Sequence, residues 1–361
     1  MRWLTAYPHR VTLREATSTE RRDWDDLVWA NPGGPELYQL SSYASFKEPA
    51  WSARHLVHEH EGREPVHALY LTRTVPPFGQ VWYCPMGPRV ADAEHARLCM
   101  EDLRTSTVGS PFLVVLEPSV PATGPEDRER LLASVPGLRH VPDLQQGQHT
   151  VLIDLRPSEE EIFAGFRQRA RRHIRKTGEA VVEHRTDPEA FEIMWSLFSE
   201  TMERAGVDYR AKEYHQAIWH HYIDAGQGHF VLARPREGGD IEAGCFLIHR
   251  RELGYYKDGG SRRTPDSNGL QYRVQWEAMR WCKEHGATTY DMYSTPPSWL
   301  ADDETHKLHP LVQFKTAFAP IVDHVGTMQL VLRPRVVRAW DAVGMPLYRR
   351  LAERTPAGMF F

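Results

Sequence analysis

The chain has 361 residues, which favours two domains, and its 41% hydrophobic content excludes a mainly disordered protein. The formal net charge of −4 excludes a generally basic nucleic-acid coat, although a local basic surface remains open. Four scattered cysteines without a CxxC pair indicate a reducing compartment. No apolar stretch is long enough to cross a membrane, and residues 1–10 lack the apolar core of a signal peptide. We therefore expect a cytoplasmic protein without stable membrane insertion.

The first half of the chain alternates strand-like and helix-like segments. Apolar alternation and turn residues predict three strands, a helix and a further strand, at 53–60, 66–73, 80–85, 91–106 and 111–118. The segment from about Pro118 to Thr150 would then connect this half to the next.

The second half opens with helices. A capping box at Ser158 and Glu161 predicts one long helix that ends at Gly178. Its apolar face would hold Ile162, Phe166, Ala170 and Ile174. Further helices are predicted from Asp187-Pro188 to about Gly206 and from about Lys212 to Ala225.

The region after Gly228 repeats the element order of the first half. It reads as three antiparallel strands, a helix over 269–284 and a strand at 288–293. A repeated β-β-β-α-β order predicts an α/β fold with mixed sheets and a duplicated unit, in which the helix joins two parallel strands. We place the domains at 1–150 and 151–325, with the segment 326–361 packing back on the first domain and a closing helix from Val336 to Glu353.

Histidines and cysteines show no motif for metal or nucleophilic chemistry. His55, His58 and His60 lie in a predicted strand, where only His58 and His60 share a face. We interpret them as ordinary histidines and predict no metal site. The sequence also lacks a G-x-S-x-G motif and the glycine-rich phosphate loops.

The most basic segment lies at 167–176, where six arginines and lysines occur without an acidic residue. One interpretation is a solvated helix face, which most charge runs are. The other is contact with a nucleic-acid backbone, because basic clusters attract phosphates without regard to sequence.

Several short motifs follow one another along nearly the whole chain. Residues 39–47 resemble Q-S-x-x-W-A-x-x-K, residues 83–88 resemble Y-x-P-R-G-P, and Phe314-Lys315-x-x-Phe318 resembles F-K-x-x-F. The other matching segments are 149–161, 171–178, 275–279, 290–291 and 330–334. Together they resemble the FemABX family of aminoacyl-tRNA-dependent peptidyltransferases. The sequence departs from the family pattern at Tyr43, at Met86 and after Tyr290-Asp291, where the usual glycine is replaced.

The resemblance implies two tandem GNAT-like domains and an amide-forming reaction. The donor would be an amino acid on aminoacyl-tRNA, used as a co-substrate without a further cofactor. The acceptor would be an amine of a peptide, namely a peptidoglycan precursor for the interpeptide bridge. Relatives that extend peptide-like antibiotics leave a second class of acceptor open.

The resemblance also assigns residues to the reaction. Lys315 would stabilise the oxyanion or the departing ribose oxygen, Phe314 would shape the same wall, and Glu117 matches an acidic position considered as a base. The basic segment would hold the tRNA through Arg171, Arg172 and Arg175.

A second group of residues would bind the acceptor. Lys47, Arg210 and Tyr214 match positions that hold a diphosphate, and Arg210 and Tyr214 could share a helix face because they are four residues apart. Tyr255 or Tyr256 would line the acceptor channel.

Two other functions compete with this interpretation. An acyl-CoA-dependent N-acyltransferase would use the same fold, but the loop 259–269 lacks the compact glycine-rich pattern that holds a pyrophosphate. A non-catalytic nucleic-acid binder would need stacking aromatic residues among the charges at 167–176, and these are missing.

Overall fold

The computed structural model describes residues 13–207 and 209–352, which divide into two compact units. Unit 1 contains the described residues up to Gln148 together with His324–Leu347, and unit 2 contains His149–Asp323 together with the described residues from Tyr348 onward. Two predictions concern residues outside this range. Residues 1–10, for which we predicted no signal peptide, are not described, and neither are Glu353, the predicted end of the closing helix, and the residues that follow it up to 361.

Unit 1 contains a seven-stranded sheet in the order β1-β2-β3-β4-β5-β15-β7. Strands β2, β3 and β4 are antiparallel neighbours, and β5 runs parallel to β4, as the sequence predicted. Strand β15 lies between β5 and β7 and is antiparallel to both. The strands of this unit are β1 (Leu13–Glu15), β2 (Ser52–His58), β3 (Val66–Val75), β4 (Gly79–Cys84), β5 (Pro111–Leu116), β6 (Pro121–Ala122), β7 (Leu138–His140) and β15 (Met328–Val331).

The helices of unit 1 cover this sheet. The central one, α4, begins at Asp92, whose side chain accepts a hydrogen bond from the His95 amide, and it joins the parallel strands β4 and β5. The segment 118–150 is more than the predicted connection, because it forms α5 and the edge strand β7. The helices are α1 (Ser18–Arg22), α2 (Trp24–Trp29), α3 (Ser41–Lys47), α4 (Ala93–Thr105), α5 (Pro125–Ser134) and α12 (Pro334–Ala339).

Unit 2 repeats the β-β-β-α-β arrangement. Its strands lie in the order β14-β8-β13-β12-β11-β10-β9, and only β12 and β13 are parallel neighbours, joined through α10. The predicted duplication of an α/β unit is thus confirmed. The strands are β8 (His149–Asp154), β9 (Val181–Arg185), β10 (Gly228–Arg234), β11 (Ala243–Arg250), β12 (Leu253–Ser261), β13 (Thr289–Asp291) and β14 (Ile321–His324).

The helices of unit 2 follow local sequence signals closely. Helix α8 has Asp187 as its cap, Pro188 at its first position and Gly206 in the left-handed conformation at its end, as predicted. The apolar faces of α7 and α10 pack on the sheet in one core with Trp276 and Phe318. The helices are α6 (Glu159–Gly165), α7 (Gln168–Lys176), α8 (Pro188–Ala205), α9 (Lys212–Asp224), α10 (Leu270–Glu284) and α11 (His309–Lys315).

The prediction of one helix from Ser158 to Gly178 is wrong. The capping box at Ser158 and Glu161 forms, but Phe166 and Arg167 adopt extended backbone conformations between α6 and α7. The amide of Arg167 donates to the carbonyl of Ala317 at 2.9 Å, so a contact with a distant segment replaces a helical hydrogen bond. Helix α7 then ends at Lys176, with Thr177 rather than Gly178 as its C-cap.

The end of the described chain is also less regular than predicted. Helix α12 passes into a π-helical turn, Trp340–Gly344, and then into α13 (Met345–Ala352). Trp340 is buried and packs edge-on against Phe78 at 5.4 Å, whereas Leu347 of the predicted closing helix is 51% exposed. No helix in the described part of the chain has the length and apolar character needed to cross a membrane.

Candidate functional site

The sheet of unit 2 opens at the carboxyl end of β13. Strands β12 and β13 pair over only three residues, after which β12 continues along β11 and β13 passes into a loop. In this loop Tyr293 and Ser294 both have positive φ angles, 51° and 53°. Such angles cost non-glycine residues about 1–3 kcal/mol each, so surrounding contacts must hold the loop. One of these is the hydrogen bond from the Tyr293 amide to Asp291 Oδ1, at 2.7 Å.

The strained loop presents its carbonyl groups to Lys315, the last residue of α11. The Lys315 amine donates to the carbonyl oxygens of Tyr293 and Ser294, the latter at 2.8 Å. It also lies 5.3 Å from the centre of the Tyr256 ring, within the range of a cation–π contact. Lys315 is only 4% exposed, so it is not the surface lysine that its sequence alone would suggest.

The burial of Lys315 changes its acid–base behaviour. Desolvation lowers the pKa of the amine to about 7, although the nearby negative charge of Asp291 acts in the opposite direction. A lysine with this pKa exchanges its proton near neutral pH. When protonated, it has three N–H groups, and the two carbonyl groups use two of them. The third forms no hydrogen bond with the described residues.

The neighbouring tyrosines, Tyr255 and Tyr256, point to opposite faces of β12, as expected for adjacent strand residues. Tyr256 lies beside Lys315, and Tyr255 packs against Tyr293 with ring centres 5.1 Å apart. A register irregularity between β11 and β12 occurs at this level. Tyr256 therefore contacts Lys315 directly, and Tyr255 contacts the loop whose carbonyl groups bind Lys315.

Phe314 occupies the core side of the same segment. Its ring packs against Tyr272 of α10 at 5.0 Å and against Phe318 at 5.7 Å. These contacts fix the end of α11 against α10 and thereby position Lys315. The sequence-based expectation that Phe314 shapes the wall of the site stays a prediction.

A partly buried carboxylate that the sequence did not single out lies further along β12. Asp258 accepts a hydrogen bond from Trp219 Nε1 at 2.8 Å, and its other oxygen lies 3.9 Å from the amine of Lys257. Although burial opposes ionisation, Lys257 and His215 hold the pKa of Asp258 below its usual range. The sequence signal that could have indicated Asp258 is an acidic residue inside a predicted strand that otherwise contains mainly glycines and tyrosines.

Glu117 follows β5 in unit 1 and is fully buried. Burial raises the pKa of its carboxyl group to about 7, and four hydrogen bonds act against that rise. The donors are the Tyr83 hydroxyl, the Thr327 hydroxyl and the amides of Met86 and Gln145, at 2.8 to 3.0 Å. These contacts tie four chain segments together, and the catalytic role of Glu117 stays a prediction.

The predicted acceptor residues are distributed over both units. Lys47 ends α3 of unit 1, with its amine 5.3 Å from the Tyr43 ring. In unit 2, Arg210 and Tyr214 do not share a helix face, because α9 begins only at Lys212. The guanidinium of Arg210 instead lies over the Tyr214 ring at 4.4 Å. Arg210 and Tyr214 are thus brought together by stacking.

The basic segment forms one exposed surface of unit 2, which we call the α7 basic surface. Helix α7 is anchored through Ala170 and Ile174 and through His173, which stacks on Tyr272 at 4.8 Å. None of its cations forms an ion pair with a described acidic residue. The members are Arg167, Arg169, Arg171, Arg172, Arg175 and Lys176, of which all but Arg171 are exposed.

A shallow cleft of about 380 Å³ lies elsewhere on unit 2. Its walls come from β8, α6 and the segment after α11, and include Ile162, Phe166 and Phe318. Lys315 is not among its lining residues, so the cleft and the Lys315 environment are separate features.

Comparisons with known proteins agree with this architecture. An acetyltransferase (GNAT) domain model matches residues 164–308. The aminoacyltransferase FemA of Staphylococcus epidermidis is 33% identical over 87 residues, which are 24% of this chain and 20% of FemA. FemA of Staphylococcus aureus (strain MW2) is 31% identical over 104 residues, 28% of this chain and 24% of FemA. The chain thus spans a quarter or less of the curated relatives it matches.

A crystal structure of FemX shows the same fold. It superimposes with a TM-score of 0.71 over 92% of this chain and 99% of the FemX chain, at 18% sequence identity. The fold and the domain match define a protein of two tandem GNAT-like domains. Within this fold, 24–28% of the chain is similar in sequence to the aminoacyltransferase FemA.

Proposed function

We propose that this protein transfers an amino acid from aminoacyl-tRNA to an amine of a peptide, forming an amide bond. The observation that carries the proposal is the buried amine of Lys315, held on a strained loop at the open end of the unit 2 sheet. The similarity to FemA supports the class of reaction, since the matching FemA proteins are named aminoacyltransferases. The α7 basic surface supports tRNA as the carrier of the donor.

The chemistry needs no covalent enzyme intermediate, because an aminoacyl ester is already activated. The acceptor nitrogen attacks the ester carbon, the carbon–oxygen bond to the ribose breaks, and the proton lost from nitrogen ends on the ribose oxygen. Protonated Lys315 would donate its remaining N–H to the oxyanion or to the departing ribose oxygen. A donor fixed in a water-poor site stabilises charge that develops only in the transition state.

The identity of the donor is tested by offering two activated amino-acid or acyl compounds side by side. Purified protein receives a mixture of charged tRNAs and, separately, acetyl-CoA, each with a peptidoglycan-precursor peptide as acceptor. We expect a mass increase of the peptide by one amino acid residue with charged tRNA and none with acetyl-CoA. Acetylation of the peptide instead would overturn tRNA dependence and favour an acyl-CoA-dependent N-acyltransferase.

The acceptor is proposed to be a peptidoglycan precursor whose diphosphate is bound by Arg210 and Tyr214 of unit 2. The role of Lys47, in unit 1, stays a prediction. The stacking of Arg210 on Tyr214 supports this role for unit 2, since it orients the guanidinium for a forked contact with a phosphate. Arginine offers two parallel N–H donors in this geometry, whereas lysine offers a point charge.

Replacing Arg210 by alanine should raise the acceptor KM on the order of tenfold while changing kcat little, because hydrogen bonds to a charged group contribute about 1.5–3 kcal/mol to binding. Steady-state kinetics with a diphosphate-bearing precursor measure both constants. Arg210→Lys keeps the charge and should recover part of the affinity. An unchanged KM in Arg210→Ala would contradict the assignment and favour a peptide acceptor without a diphosphate, such as an antibiotic peptide.

A further inference from the structure

Three side chains with metal-binding atoms converge in unit 1, and the proposed reaction uses none of them. One ring nitrogen of His60, one of His95 and the sulfur of Cys99 lie within 4.8 Å of one another. His95 and Cys99 are four residues apart on α4 and therefore share a helix face. His60 comes from a different element, two residues after the end of β2.

The burial of these groups leaves polar atoms unsatisfied. His95 is 1% exposed, and neither of its ring nitrogens has a hydrogen-bond partner among the described residues. Cys99 is fully buried. Buried polar atoms without partners are rare and destabilising, so a ligand that binds these nitrogens would remove a specific cost.

A carboxylate on α4 contacts one of the three side chains, His60. Asp102 Oδ2 lies 3.0 Å from His60 Nε2 and 2.8 Å from His58 Nδ1. His58 is itself fixed, because its Nε2 lies 2.9 Å from the Tyr70 hydroxyl. A carboxylate that contacts a histidine ligand is the usual outer-sphere arrangement of protein metal sites.

We propose that His60, His95 and Cys99 bind a zinc ion. Two imidazoles and a thiolate suit zinc and disfavour magnesium and calcium, which prefer oxygen ligands. On binding, the Cys99 thiol loses its proton to solvent and a zinc–sulfur bond forms. The thiolate and Asp102 then offset the charge of the ion, and a water molecule completes a tetrahedral site.

The surroundings permit both the charge and the entry of the ion. The positive charge of Arg63 acts on His95, but Arg63 forms an ion pair with Asp92 at 2.9 Å. This ion pair reduces the repulsion between Arg63 and a metal ion. The His60 side chain is 10% exposed, so its ring borders solvent and offers a path to the buried ligands. The occupied site would fasten α4 to the chain segment after β2.

The test uses the full chain without a histidine tag, stripped with a chelator and titrated with Co²⁺ and then Zn²⁺. We expect one Co²⁺ per chain, with a thiolate-to-cobalt charge-transfer absorption that equimolar Zn²⁺ abolishes. Cys99→Ser should lose this absorption, and Asp102→Asn should weaken metal binding about 10–100-fold. Cys282→Ser, which changes a buried cysteine on α10, is the matched control and should keep both.

The wild-type titration decides the proposal even where a variant fails to fold. Absence of the thiolate absorption in the wild type, or binding weaker than that of free imidazole, would overturn the site. Retention of the absorption in a folded Cys99→Ser variant, checked by circular dichroism, would assign the thiolate to another cysteine and would equally overturn it.

Discussion

Lys315→Met is expected to lower kcat on the order of a hundredfold while leaving the binding of both substrates nearly unchanged. Methionine keeps most of the side-chain length but removes the charge and the N–H donors. The lost interaction is one that strengthens as the amine attacks the ester, so the effect falls on the transition state rather than on the ground state. Single-turnover kinetics with charged tRNA measure the chemical step, and equilibrium binding measures both substrates.

The pH dependence of kcat separates this role from a structural one. Because burial lowers the pKa of Lys315 to about 7, the protonated fraction falls as the pH rises through that value. If the ammonium form stabilises the oxyanion, kcat should decrease above neutral pH in the wild type, and this decrease should be absent in Lys315→Met. A rate that rises through neutral pH would instead assign Lys315 as a base.

The control for lost carbonyl contacts is Lys283→Met. Lys283 also donates to backbone carbonyl oxygens of unit 2, those of Leu155 and Pro157 at 2.6 and 2.7 Å. This variant should keep its kcat. A folded Lys315→Met enzyme that transfers amino acid at nearly the wild-type rate would show that Lys315 only holds the loop of Tyr293 and Ser294.

Charge reversal of Arg171, Arg172 and Arg175 to glutamate should weaken tRNA binding on the order of a hundredfold at physiological salt. Each phosphate contact releases condensed counterions, so losing three contacts should also reduce the slope of log affinity against log salt by about three. The physical basis is that the cations of the α7 basic surface form no ion pairs with the acidic residues of 13–207 and 209–352, which leaves their charge available. Filter binding or fluorescence anisotropy over a range of salt concentrations measures both quantities.

The matched control reverses three arginines of unit 1, Arg333, Arg335 and Arg338, which lie exposed at the start of α12 and along it. The net charge changes by the same amount, and we expect a smaller loss of affinity and a salt slope close to that of the wild type. Equal losses in both triple variants would mean that tRNA responds to net charge alone. Unchanged binding after reversal at α7 would identify its basic surface as merely solvated.

Local signals in the sequence predicted the duplicated architecture well. The caps of α8 and the capping box at Ser158 involve residues within one turn of each other, so the sequence carries the whole of their information. The break before α7 could not be predicted, because the apolar spacing continues across it. It depends on the hydrogen bond between Arg167 and Ala317, about 150 residues apart in the chain.

The candidate sites show the same limit. Lys315 could be named from its motif, but its pKa is lowered by burial, which the motif does not reveal. Its amine is held by the carbonyl groups of Tyr293 and Ser294, and neither residue type signals a left-handed backbone. His60 could be paired with His58 by strand periodicity alone. That His60 lies close to His95 and Cys99 could not be predicted, because it depends on how α4 packs and no spacing along the chain reveals this packing.

The position of β15 between β5 and β7 affects how the protein folds while it is being synthesised. The ribosome produces all the other described strands before residues 328–331 emerge, so the sheet whose strands are translated first is completed last. Until then, the nascent chain carries two unpaired strand edges, which are sites for aggregation. Residues 149–323 already contain all strands of their own unit apart from the last residue of β14. Messages truncated just before β15 should therefore yield chains that depend on chaperones.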